Sequence, residues 1–228
     1  MKIAIIGAGN VGGALSKSFS RAGHAVIVAD RDPEEAGQLA SEVGGVGTGD
    51  LAHAAGQAEI VVLAVPFAAS AEPVSRAIAG QVKGKIVIDA TNPLKPDMSG
   101  LATEGGASGA ERIQQWLPGA RVVKAFNTVF ATLQAEPVVE GQPVDGFVAG
   151  DDDLARETVL RLEAEMGFRP IDVGALARAR ELEALAYLNI MLQVTKQGNW
   201  RSAWKLLDPP PAAVKVATAA QSDRRERR

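Results

Sequence analysis

Lys2-Ile3-Ala4-Ile5-Ile6-Gly7-Ala8-Gly9-Asn10-Val11-Gly12 is the stretch that decides the fold. Ile3 to Ile6 is a short β-rich run that stops at Gly7. Val11 to Ala22 reads as a helix, with Ala14, Ser18 and Ala22 on a small-residue face. A Gly-x-Gly-x-x-Gly string alone is weak, but this one leaves a strand and opens a helix, the context that gives it meaning. Gly7 permits the tight turn, Gly9 lets the backbone approach a pyrophosphate, and Gly12 lets helix and strand pack closely. The helix N-terminus offers free N–H groups and a partial positive charge to phosphates. Gly7, Gly9, Asn10, Val11 and Gly12 are therefore the candidate dinucleotide contacts. A plain glycine turn is the bland alternative, and the strand–loop–helix context outweighs it.

Outward from this unit, strands and helices alternate. Ala25 to Ala29 is a second strand, and Pro33 to Val43 suits a helix with Asp32 as its N-cap and Pro33 in its first turn. Ile60 to Val65 is a continuous apolar run, the signature of a strand buried on both faces. Ile86 to Ile88 and Val122 to Ala125 are further strands. Such alternation calls for an α/β, Rossmann-type, doubly wound and mainly parallel sheet. Past residue 144 the pattern changes. A strand ends at Gly146 to Gly150, and Asp151, Asp152 and Asp153 open a helix where its dipole favours negative charge. Pro170 to Val173 is a last extended piece. Arg180 to Lys196 is apolar almost all round a helix, which implies burial against the sheet or a second subunit. We expect a dinucleotide-binding domain over 1–173, a small helical C-terminal lobe over 174–208, and an unstructured tail over 209–228 that begins at Pro209-Pro210-Pro211 and ends in Arg224, Arg225, Arg227 and Arg228.

The second strand ends at Asp30, followed by Arg31. An acidic residue here accepts hydrogen bonds from the adenosine ribose and repels a 2′-phosphate, whereas an arginine pairs with that phosphate. Glu34 and Glu35 add negative charge and no lysine offsets them. The charge balance leans to NAD(H), while Arg31 over the adenine leaves NADP(H) open. Two further loops leave the carboxyl ends of strands: Val65-Pro66-Phe67 and the stretch through Asn92-Pro93. They are expected to flank the ribose and nicotinamide, with Asn92 or the backbone beside it holding the carboxamide.

Composition excludes several functions. The 228 residues include no cysteine, so disulfides, thiolate nucleophiles and cysteine-ligated zinc are out. The net charge of −3 gives no basic face for nucleic acid. No apolar run reaches the roughly 20 residues that span a bilayer, and no basic, apolar leader opens the chain, so a cytoplasmic location is expected. The two histidines, His24 and His53, lie away from the expected cofactor loops, and there is no Ser-His-Asp set or metal-ligand cluster. We name no catalytic side chain and no metal. Reduction of a ketone needs a proton donor as well as a hydride. Transfer between nicotinamide and a flavin-like ring needs chiefly that two rings be held face to face. A site poor in acids and bases fits ring-to-ring transfer better.

The chain also resembles the NADP-dependent oxidoreductases of the 8-hydroxy-5-deazaflavin coenzyme, whose N-terminal domain is shared with pyrroline-carboxylate reductases and membrane metalloreductases. The resemblance runs from Met1 to about Leu207. It is carried by Gly84-Lys85-Ile86-Val87-Ile88-Asp89, Val123-Lys124-Ala125-Phe126-Asn127-Thr128-Val129, Ala149-Gly150-Asp151-Asp152-Asp153, Arg169-Pro170-Ile171-Asp172-Val173-Gly174 and Leu188-Asn189-Ile190-Met191. It implies a homodimer, and a deazaflavin co-substrate lying between the sheet domain and the C-terminal lobe, against Asn127, Thr128 and Val129. It places the ribose contacts at Asp30, Arg31 and Glu35 and a mid-sheet loop at Val65, Pro66 and Phe67. The chain departs from the family pattern in having Asp30 for a serine, Glu35 for a lysine and Asn127 for a histidine. The leading expectation is hydride transfer between NAD(P)H and a planar acceptor such as a deazaflavin or flavin. The alternatives are an imine or carbonyl reductase, which needs a proton donor near Asn127 or Lys124, and a non-catalytic dinucleotide sensor. An open slot lined by Phe67, Asn127 and the 185–192 helix marks the catalytic version; a sensor could fill it with side chains.

Overall fold

Ile3 and Ile5 turn to one face of the first strand and Ala4 and Ile6 to the other, and all four are buried. A strand covered on both faces belongs inside a sheet with helices on each side, and that is the architecture found. The computed structural model describes residues 1–103 and 106–207. The expected tail over 209–228, with its arginines, lies outside the described residues.

In chain order the strands and helices are β1 (Lys2–Ile6), α1 (Asn10–Arg21), β2 (Ala25–Ala29), α2 (Pro33–Val43), β3 (Val46–Thr48), α3 (Leu51–Gln57) and β4 (Ile60–Leu63). A π-helical turn at Phe67–Ala71 then leads into α4 (Glu72–Ile78), followed by β5 (Ile86–Asp89), α5 (Gly109–Trp116), β6 (Arg121–Lys124) and α6 (Ala131–Gln134). A small hairpin of β7 (Val138–Val139) and β8 (Gln142–Pro143) precedes β9 (Asp145–Gly150), α7 (Asp153–Glu165), β10 (Arg169–Gly174) and α8 (Ala179–Lys196).

The eight-stranded sheet has the order β10-β9-β6-β5-β4-β1-β2-β3. The six strands from β3 to β6 are parallel; β9 runs antiparallel to β6, and β10 is parallel to β9. Chain order reverses between β1 and β4, so a crevice opens beyond their carboxyl ends, the place where doubly wound sheets bind ligands. One core lies between the sheet and α1, α2 and α7; the other lies under α3, α4 and α5.

The expected Rossmann-type sheet is present, with shifts at its elements' edges. The strand expected over Ile60–Val65 ends at Leu63, and the chain then turns out through Ala64 and Pro66. The edge strand β3 gives no apolar pattern because it is built on close approach: a Cβ on Gly47 would lie 2.6 Å from the Gly37 Cα. Helix α8 is apolar nearly all round, yet among the described residues only one face is covered. Leu182, Ala186 and Ile190 are buried, while Leu188 and Leu192 are 50% and 37% exposed.

One buried group runs against the usual rules. Glu163, on α7, is fully buried and neither carboxyl oxygen has a hydrogen-bond partner. A Cβ on Gly146 would lie 2.2 Å from its Oε2, so the glycine makes room for the carboxyl. Burial pushes the carboxyl well above its ordinary 4.5. The native chain therefore holds a proton that the unfolded chain releases above that value, and stability falls as pH rises through the window between the two. Each unit of that window costs about 1.4 kcal/mol. We expect Glu163→Gln, which removes the ionisation, to flatten the decline of thermal stability from pH 5 to pH 8. The same decline in both proteins would contradict this.

Candidate functional site

The turn out of β1 is shaped by two glycines that tolerate no side chain. Gly7 has φ +113°, and a Cβ there would lie 2.4 Å from the Ala64 carbonyl oxygen. A Cβ on Gly12 would lie 1.8 Å from the Gly7 carbonyl oxygen, so α1 can pack on the strand only because Gly12 has none. Gly9 differs: the space above it is open for 4 Å. It is the N-cap of α1, and no side chain caps that helix or places an acid in its first turn. By contrast, α2, α3, α5 and α7 are closed by Asp32, Asp50, Ser108 and Asp152. An open helix N-terminus under a bare backbone is what a pyrophosphate requires, so the residues present fit a dinucleotide.

Two cavities flank this loop. One, about 240 Å³, is lined by Gly7, Gly9, Asp30, Arg31, Glu35, Val65 and Pro66. The other, also about 240 Å³, is lined by Val11, Asn92, Asn127, Thr128, Val129 and, from α8, Ala186 and Ile190. Asp30, Arg31 and Glu35, expected at the adenosine end, thus line one space, and Asn92, Asn127, Thr128 and Val129 line the next; Val65 and Pro66, expected beside the ribose and nicotinamide, line the first. Asn10 stands outside both, on the groove along α1. Pro93 lines neither. Phe67 also lines neither, which corrects the expected slot: its ring packs in the core against Trp116, with ring centroids 6.0 Å apart. An aromatic residue beside a loop glycine's neighbours reads equally as core or as cavity wall, and here the second core claims it.

The second cavity is held open by a pair of amides. Asn127 Nδ2 donates to Asn92 Oδ1 at 3.0 Å and to the Leu182 carbonyl at 3.2 Å, and Asn92 Nδ2 donates to the Asn127 carbonyl at 3.0 Å. Asn127 Oδ1 and Thr128 Oγ1 are buried without partners. Phe126 has φ +66°, an outlier for a bulky residue. Gln134 fixes that backbone by donating from Nε2 to the Phe126 and Val129 carbonyls at 3.0 and 2.9 Å. Trp200 completes the wall, edge-on to Phe130 at 5.2 Å. A strap after α8 carries it there. The Gln193, Asn189 and Leu185 positions, one helical turn apart, hold the Trp200 N–H, Ser202 and the Trp204 indole N–H. Sequence reading missed Gln134, Trp200 and the strap, because a lone glutamine or tryptophan in a polar stretch carries no local signal.

Below the cavity floor lies a buried ionic cluster. Lys124 Nζ is 2.9 Å from Asp89 Oδ2 and 3.2 Å from Glu183 Oε1, and it donates to the Thr91 carbonyl at 2.6 Å. All three charged side chains are at most 1% exposed. Burial would lower the Lys124 pKa, but the carboxylates of Asp89 and Glu183 outweigh it and hold the ammonium above its ordinary value. The excess negative charge is met by N–H donors. Thr91 N donates to Asp89 at 2.9 Å, and Gly109 N and Ala110 N, at the start of α5, donate to Glu183 at 3.0 and 3.3 Å. A second clasp joins the same helices: Arg180 grips Glu111 through two bonds of 2.8 and 2.6 Å, and this hydrogen-bonded pairing pulls the Glu111 pKa down to about 2. Lys124 is therefore a structural cation and lines neither cavity. Among the described residues, no charged side chain lines the amide-walled cavity, and no group of three His, Cys, Asp or Glu residues could hold a metal ion. No helix among them is long and apolar enough to cross a membrane.

Fold and site define an NAD(P)-dependent oxidoreductase. Residues 2–93 match the family model described as NADP oxidoreductase, coenzyme F420-dependent. Among solved structures, a protein of Arthrobacter sp. FB24 described as a candidate F420-dependent NADP reductase is 31% identical, with a TM-score of 0.82 over 91% of this chain and 100% of that one. A hypothetical protein of Sinorhizobium meliloti is 30% identical, with a TM-score of 0.71 over 92% of this chain and 96% of its own. The rat metalloreductase STEAP3 is 32% identical over 185 residues, 81% of this chain. The chain spans just over a third of the length of the curated metalloreductases it matches, 35–36%. It belongs to the coenzyme F420-dependent NADP oxidoreductase family.

The buried cluster sets the first test of the site. Lys124→Met strands two buried carboxylates and should cost about 3–5 kcal/mol in denaturant unfolding. A loss below about 1 kcal/mol would mean that Asp89 and Glu183 do not depend on the ammonium.

Proposed function

We propose that this chain passes a hydride between NAD(P)H and a planar ring acceptor, with coenzyme F420, an 8-hydroxy-5-deazaflavin, as the leading candidate. The observation that carries this reading is the cavity at Asn92 and Asn127: it is walled by amides and apolar groups, and among the described residues no acid or base lines it. An imine or carbonyl reductase needs a proton donor at the reacting carbon's neighbour, and Lys124 is buried away from the cavity.

In this reading the N–H groups of Asn10 and Val11 receive the pyrophosphate over Gly9. Gly7, Gly9, Gly12, Asp30, Arg31, Val65 and Pro66 shape the adenosine and ribose end; Asn92 and the adjoining Pro93 backbone take the carboxamide. The bound nicotinamide supplies the hydride. Asn127, Thr128 and Val129 face the acceptor, and the unpartnered Asn127 Oδ1 and Thr128 Oγ1 orient its polar edge. Hydride adds to a ring carbon of the acceptor, and a proton reaches a ring nitrogen from water, so the protein need not hold an acid. Ile190, Ala186 and Trp200 exclude water from the face where the rings meet. We further propose that the exposed Leu188 and Leu192 of α8 are covered by a second copy, giving a homodimer.

The test is oxidation of NADPH and NADH in parallel, with the deazaflavin as acceptor and free flavin as control. We expect turnover with the deazaflavin. We also expect up to about a hundredfold loss of kcat/KM in Asn127→Ala, which loosens the cavity wall. Bound dinucleotide without turnover would overturn the acceptor assignment and move the search to C=N and C=O substrates.

A further inference from the structure

The end of β2 is crowded with charge of one sign. Asp30, Asp32, Glu34 and Glu35 stand within six residues, and Arg31 is the single cation among them. Asp30 is fixed from two sides: the Ala8 N–H donates to its Oδ2 at 2.8 Å and the Asp32 N–H to its Oδ1 at 3.1 Å. A carboxylate has about four acceptor sites, so each oxygen keeps one for another donor, and Asp30 lines the cavity beside Gly9. Ribose hydroxyls are such donors. A 2′-phosphate at neutral pH brings acceptor oxygens and further negative charge to the same place.

A 2′-phosphate could still be held by a guanidinium acting together with a helix N-terminus. The nearest such terminus is that of α2, and the chain has already filled it. Asp32 Oδ1 accepts from the N–H groups of Glu34 and Glu35 at 2.9 and 3.4 Å, so the chain's own carboxylate occupies the anion position. Glu34 and Glu35 then extend the negative field through the first turn. Arg31 is exposed and makes no hydrogen bond or ion pair among the described residues. It lines the cavity from the side, where a planar cation can lie on an adenine face without contacting the ribose.

We propose that this chain prefers NAD(H) to NADP(H), with Asp30 as the ribose acceptor and Asp32 as the internal anion that closes α2 to a 2′-phosphate. The preference departs from the donor in the family's name and rests on the dinucleotide reading above. Its test is binding, not turnover, so it does not depend on the acceptor. NADH and NADPH are titrated separately into the full chain at one fixed ionic strength, by calorimetry or nicotinamide fluorescence. NADH should bind roughly tenfold or more tightly than NADPH. The variant Asp32→Ser with Glu35→Lys retains an N-cap while reversing local charge, and it should close or invert that gap. Arg31→Ala should weaken both dinucleotides alike. Equal or tighter binding of NADPH by the unaltered chain overturns the preference, and so does an Arg31→Ala loss confined to NADPH. Binding of neither dinucleotide by a folded chain fells the dinucleotide reading and the preference with it.

Discussion

Lys124 is the group on which the working end of this molecule depends. Its ammonium sits at the end of β6, bonded to Asp89 at the end of the neighbouring strand and to Glu183 on α8. Three segments remote in sequence meet at one buried charge. Such clusters are poor sources of net stability, since the cost of desolvation offsets much of the attraction. They are strict about geometry, however, because a misplaced partner leaves a bare charge. The cluster thereby ties α8 to the ends of β5 and β6, and the Leu182 carbonyl beside Glu183 is the one that receives Asn127. The wall of the amide-lined cavity is set from beneath.

With the charge confined to this cluster, no charged side chain among the described residues lines the cavity. This separation fits the proposed chemistry. A hydride moving between two rings is helped by alignment and by exclusion of water, and a titrating side chain at that position would add little. The alignment is built from rigid parts: a left-handed Phe126 held by Gln134, two asparagines bonded to each other, and a tryptophan brought in by the strap after α8. Strained backbone of this kind costs of order 1–3 kcal/mol and persists where its surroundings over-determine it.

The parts legible in the sequence are those whose physics is local. Gly7, Gly9 and Gly12 announce a turn, an approach and a contact, and the Asp32–Pro33 start of α2 is a cap written in two residues. The parallel order followed from apolar runs that needed cover on both faces. What escaped reading depends on partners far along the chain. Lys124 looked like a lone basic residue because its carboxylates belong to another strand and to the last helix. Phe67 looked like a cavity residue because nothing near it in sequence reveals Trp116. Nothing local in the sequence marks Glu163 as buried, and only the packing of α7 on Gly146 shows it. The sequence also showed Asp30 and Arg31 as rivals, whereas the hydrogen bonds of Asp30 and Asp32 distinguish a fixed acceptor from a free cation.

The measurement that bears most directly on this account is a crystal structure of the chain with an oxidised nicotinamide dinucleotide. The account predicts the pyrophosphate over Gly9, bonded to the Asn10 and Val11 N–H groups. It places the nicotinamide ring in the cavity walled by Asn92 and Asn127, with one ring face left open toward Ile190 and Trp200. A dinucleotide bound elsewhere, or one whose nicotinamide lies outside that cavity while side chains close it, would contradict the account.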